Sequence, residues 1–183
     1  MKYKIDEGNE QFPQMQRMNA NMVRVYFDHS QEQREDPQTG EMVTVYTAKY
    51  VDLICTEDPE SPLVAAKEAV VIEITEYDCS PDVNEFAIGG DTMWLPDAKR
   101  TQLSKRFNTD ESEGLTETKI INEGKVYELP IATARQMMLQ LEIYAKHCYD
   151  KTEEHKAAVN ALTTVAGVCN YDYTVGYPPK LSF

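Results

Sequence analysis

Two of the three histidines and one of the four cysteines fall within ten residues of each other, in the segment KHCYDKTEEH at 146–155. Imidazole and thiolate are side chains that hold zinc and that pair as base and nucleophile. His147, Cys148 and His155 are therefore the first candidates for a metal or catalytic site. Their spacing argues against both. On an α-helix, His147 and His155 stand about 12 Å apart along the axis and roughly 80° apart in direction. Two ligands of one zinc must approach to about 3–4 Å, and the i, i+4 arrangement of an HExxH motif is absent. Cys148 and His155, at i and i+7, are about 10 Å apart, too far for a nucleophile–base pair on one helix.

The same residues fit a packing pattern. Ala134, Met138, Leu141, Ala145, Cys148, Thr152, His155, Val159, Leu162, Ala166 and Cys169 follow one another at alternating steps of four and three. That is the a/d seam of a heptad repeat over about five heptads. Met137 and Tyr144 widen the stripe, and Glu142, Lys146, Lys151, Glu153, Glu154 and Lys156 lie off it. The pattern predicts one long helix, broken near its end by Thr163, Thr164 and Gly167. Cys148, Thr152 and His155 then form a polar layer that fixes register or oligomeric state. A seam thiol is inert, and His147 faces solvent. The remaining chemical reading is a pH response of His155. No catalytic, cofactor-binding or metal-binding residue is assigned.

The elements that must position this helix are legible in outline. Residues 20–54 read as a long β-hairpin: MVRVYF alternates, MVTVYTAKYVDLI is β-branched and aromatic, and DPQTG turns between them. The hairpin tip, flanked by charge, is expected to project. KYKI suits a further strand, and NEQFPQMQRMN an irregular arm. Ser61 and Pro62 open a helix with Leu63, Ala66, Val70, Ile74 and Tyr77 on one face, which Pro81 stops. EFAIGGDTMWL is a tight hairpin with Trp94 as the expected anchor of a small core. Its Gly-Gly pair lacks the lysine and helix start of a phosphate loop. A short helix over 97–108 and a hairpin around NEGK follow. The tail NYDYTVGYPPKLSF, with Tyr171, Tyr173 and Tyr177, reads as a flap closing the core. The expected fold is α+β. It has an N-terminal β-hairpin module at 1–58 and a connecting helix at 59–78. In a C-terminal domain at 79–183, two small β-hairpins pack with short helices and one long heptad-patterned helix.

Composition bounds the partners. The net charge is −13, from 18 basic and 31 acidic side chains, which repels nucleic-acid backbones. The small basic cluster Lys99, Arg100, Lys105 and Arg106 reads as a solvated face. No apolar run reaches the ~20 residues of a membrane helix, and MKYKIDEGNEQF lacks the features of a signal peptide. Four cysteines without a CxxC pair read as reduced core thiols.

One resemblance adds to this. The pattern comprises Tyr77-Asp78, Val83-Asn84, Phe86, Gly89, Trp94-Leu95 and Arg100. It continues with Leu141-Glu142, Tyr144-Ala145, Cys148, Thr152, His155, Leu162, Tyr171-Asp172, Thr174, Gly176-Tyr177-Pro178 and Phe183. It resembles a family of phage and prophage tail-associated proteins of gut bacteria, related to a numbered domain of unknown function, and covers about residues 77–183. The resemblance implies a non-enzymatic virion component, assembled in the host cytoplasm and placed near the tail tip or a fibre. Its partners would be other virion or tail proteins, with a homo-oligomer, a trimer by preference, and neither nucleic acid nor membrane insertion. The family carries no catalytic assignment. Two other readings stand beside it. One is a tail-borne enzyme acting on bacterial surface glycan, although no carboxylate pair here has a spacing that assigns acid and base. The other is an acidic intracellular binding module such as a nucleic-acid mimic, although the acidic residues are spread along the chain.

Overall fold

The alternating and β-branched runs form two long antiparallel strands, β3 (Met22–Glu35) and β4 (Met42–Ile54). The computed structural model describes residues 3–55 and 57–183. β1 (Lys4–Gly8) pairs with β4, as KYKI suggested, and β2 (Met15–Asn19) pairs with β3. The result is a four-stranded antiparallel sheet of order β1-β4-β3-β2. The β2 pairing corrects the expectation of an irregular arm. Of its side chains only Met15 is even half-buried, so the strand is held by its ladder and shows no hydrophobic alternation.

Val23, Val25 and Phe27 of β3 and Val51 and Leu53 of β4 supply the sheet's share of a core. α1 (Pro62–Asp78) starts as its sequence predicts: Ser61 Oγ accepts from the Val64 N–H at 3.3 Å, and Pro62 takes the first helical position. Its Ala65, Ala66, Val70 and Ile74 meet that face, together with Val159 of α4 (Ile131–Ala161) and Val168 and Cys169 of α5 (Val165–Cys169). Met1–Thr75 and Glu154–Tyr173 make up this first compact unit.

The second unit comprises Glu76–Glu153 and Thr174–Phe183. It holds α2 (Pro81–Asn84), the hairpin of β5 (Phe86–Ile88) and β6 (Asp91–Met93), α3 (Asp97–Ser112), and the hairpin of β7 (Glu117–Asn122) and β8 (Lys125–Pro130). Gly89 and Gly90, at φ +57° and +90°, supply the left-handed pair that a two-residue hairpin loop requires. Phe107 and Ile120 are fully enclosed, with Leu95, Leu103, Met137 and Leu141 around them. The tail lies along β5: the Ala87 N–H donates to the Leu181 carbonyl and the Phe183 N–H to the Ala87 carbonyl, each at 2.9 Å.

The heptad seam is spent inside the chain. Ala134, Met138, Leu141 and Cys148 are buried in the second unit, and His155, Val159 and Cys169 in the first. The helix ends at Ala161, and α5 is a separate turn whose Thr164 Oγ1 accepts from the Gly167 N–H. The expected boundaries at 58 and 78 differ from those of the compact units. The sheet of residues 1–58 is no free-standing module, because α1 and residues 154–173 cover it. The helical patterns of α1 and α4 continue unchanged across the boundaries, so nothing in the sequence marks them. Among the described residues, no helix is long and apolar enough to cross a membrane.

Candidate functional site

Steps of four along α4 aim Tyr144, Cys148 and Thr152 at one side. In the second unit that side meets the end of α1, the α2 turn and the tail. Thr152 is 1% exposed. Its Oγ1 donates to Asp78 Oδ1 at 2.9 Å and lies 2.9 Å from the Tyr177 hydroxyl. The single threonine proton serves the carboxylate, so Tyr177 donates to Thr152. The Tyr144 hydroxyl donates to the Val83 carbonyl at 2.6 Å, and Tyr77 meets Tyr177 edge-on at 5.5 Å. Asn84 Nδ2 donates to the carbonyls of Asp78 and Ser80, closing the turn after α1.

Burial sets the chemistry of this cluster. It pushes the Tyr144 hydroxyl, the Tyr177 hydroxyl and the Cys148 thiol above their ordinary values, and the Tyr144 hydrogen bond offsets part of the effect at Cys148. All three stay protonated at neutral pH, and the two hydroxyls serve as donors. Cys148 has no imidazole beside it within its unit: His147 is exposed, and His155 belongs to the other unit. What the arrangement can do is tie four segments of chain together.

In the first unit, His155 is 3% exposed. Its Nδ1 lies 2.8 Å from the Tyr171 hydroxyl, and the two rings pack edge to face. The Tyr173 hydroxyl donates to Glu73 at 3.1 Å. The tyrosines of the tail therefore close cores, as a flap would. The expected single polar layer is divided, with Cys148 and Thr152 in one unit and His155 in the other.

The other signature residues fall into place as follows. Phe86 is buried against Phe183, with Leu95 and Leu141 in the same core. Trp94 departs from expectation. It lies one residue beyond β6 and is half-buried, while its neighbours Met93 and Leu95 take the core positions. Arg100 is no solvated base either: it donates to the Leu95 carbonyl at 2.8 Å and pairs with Glu142 at 2.6 Å. Asp172 is exposed, and Pro178 is half-buried. Gly176 has φ +84°, and a Cβ there would lie 2.6 Å from Lys151 Cε. Among the described residues, no group of three or more His, Cys, Asp and Glu side chains is placed to hold a metal.

A second feature is the β3–β4 hairpin itself. Its ladder runs from Met22 opposite Ile54 to Glu35 opposite Met42. β1 reaches only to Tyr46 on β4, and β2 only to Val25 on β3. Four residue pairs lie beyond β1, so a two-stranded arm extends by about 15 Å plus its turn. A bulge marks its base, with Asp28 and His29 both opposite Ala48 and Asp28 at φ +51°. Before the bulge β3 is largely buried; from Asp28 to Glu35 every residue is exposed.

Compared with known proteins, the chain matches no family model, and no curated protein or solved structure matches it.

Proposed function

We propose that this protein is a non-enzymatic structural or adaptor component of a phage virion, associated with the tail or a fibre and acting through protein–protein contacts. The observation that carries the reading is the β3–β4 arm. Its outer edges meet no other strand among the described residues. Such edges offer main-chain donors and acceptors to an added strand. The buried hydroxyls of the second unit support the same reading, since they act as ties between segments. Partners on this reading are other virion or tail proteins. A homo-oligomer, with a trimer as the expected form, would use a surface other than the heptad seam. Leu139 and Ile143, one turn apart and exposed on α4, offer one.

The test is incorporation. Mass spectrometry of purified particles from a host carrying the gene is expected to detect the chain. Replacing residues 34–43 by Asn-Gly leaves a two-residue hairpin loop. That variant is expected to keep its melting temperature and to be lost from particles. Expression of the wild-type chain without its appearance in particles overturns the virion reading. Incorporation of the shortened chain at wild-type level overturns the role of the arm.

A further inference from the structure

We infer that a groove on the first unit, between the end of β4 and α1, is a docking site for a basic amphipathic helix of a partner protein. This deepens the assembly reading and rests on it for the partner's being a protein.

The groove encloses about 540 Å³. Its floor is one face of α1, where Ala65 and Ala69 fall in line at i, i+4. Neither has a side chain beyond Cβ, so a second helix can lie close to this face. Ile54 and Ile72 flank the floor at 83% and 56% exposure. Burying each on association removes apolar surface from water.

The rim sets the sign of the partner. Glu57, Glu60 and Glu68 line the groove, all exposed. Arg17 donates to the Glu57 carbonyl at 2.8 Å, but no hydrogen bond or ion pair engages the three carboxylates among the described residues. Asp58 also lines it but is already held by Arg17 at 2.6 Å. Three uncompensated carboxylates around an apolar floor select lysine or arginine flanking an apolar seam. A second copy of this chain is a poor occupant, because it brings a net charge of −13 to an acidic rim. Nucleic acid is excluded by sign and by the apolar floor.

The experiment uses the full chain and a labelled peptide of about 14 residues, long enough for four helical turns, with leucine on the seam and lysine on the flanks. Fluorescence anisotropy is expected to give micromolar binding, and a peptide with glutamate for lysine at least about ten-fold weaker binding. Ile54→Ser with Ile72→Ser, and separately Glu57→Lys with Glu60→Lys and Glu68→Lys, are each expected to weaken binding by about ten-fold or more. Reversing Glu113, Glu117 and Glu123 changes net charge equally within the second unit and is expected to leave affinity within about two-fold. Absence of binding by the lysine peptide overturns the proposal. So does full affinity in the isoleucine variant, or equal loss from the two charge reversals. The chain with the shortened arm is expected to bind the peptide as the wild type does, so the groove and the virion reading fail separately.

Discussion

The first unit has a four-stranded sheet whose aliphatic face meets α1, α5 and the end of α4. Its core is built from Val, Leu, Ile, Ala, Phe27 and the thiol of Cys169. The second unit has no sheet larger than two strands, and a lone hairpin is marginal in water. It compensates with large enclosed side chains, Phe107 above all, and with hydroxyls that tie distant segments together: Thr152 to Asp78, Tyr144 to Val83, Tyr177 to Thr152. Where a ladder is too short to fix the chain, satisfied buried polar groups take over that role. Four measurements would break or sharpen this contrast.

The largest effect is expected from Phe107→Ala, about 3–5 kcal/mol. Hydrogen exchange should show the loss of protection in β5 to β8 and α3, with β1 to β4 spared. Equal loss in both units would abolish the distinction between them. Next is alkaline pH. Burial pushes the Cys169 thiol up from 9.0 to about 11. A raised value means stability fully present below pH 9 and lost as pH climbs to 11, up to about 3 kcal/mol. The second unit holds four groups that burial raises, Tyr127, Tyr144, Cys148 and Tyr177, against Cys55 and Cys169 in the first. Urea melts at pH 8 and 10.5 followed by exchange should find the second unit the more weakened.

Thr152→Val comes third. It keeps the shape and leaves the Tyr177 donor and the Asp78 carboxylate without their shared partner, at about 1–3 kcal/mol. A loss much smaller than this, read from the denaturation midpoint, would show that the hydroxyl ties do not replace a ladder. The smallest perturbation is thiol labelling. Cys79 is exposed and should react first with a disulfide reagent, half-buried Cys55 more slowly, and Cys148 and Cys169 only on unfolding. Early reaction of Cys148 would mean that the second unit opens before the first.

What the sequence conveyed follows from what is periodic. The seam of α4, the break at Thr163 and Thr164, the long hairpin and both tight turns are local patterns, and all are present in the structure, whereas Gly167, expected to help break the helix, lies inside α5. β2 has no alternation to read. The size of Trp94 points to the core, whereas strand parity puts Met93 and Leu95 inside. The tie from Thr152 to Asp78 spans 74 residues. The seam marked Thr152 as buried, but no local rule names its acceptor. The interlaced units were hidden because an apolar stripe is the same whichever core it enters.

The bulge at Asp28 and His29 separates two properties of the arm. Removing one of these residues would restore one-to-one pairing while Ser30 still faced Thr47 and Glu35 still faced Met42. Every side chain beyond would keep its partner and its face; only the local bend and twist would change. Single-residue insertions and deletions at this point can therefore re-aim the arm without rewriting it, so its direction and its message are free to vary independently.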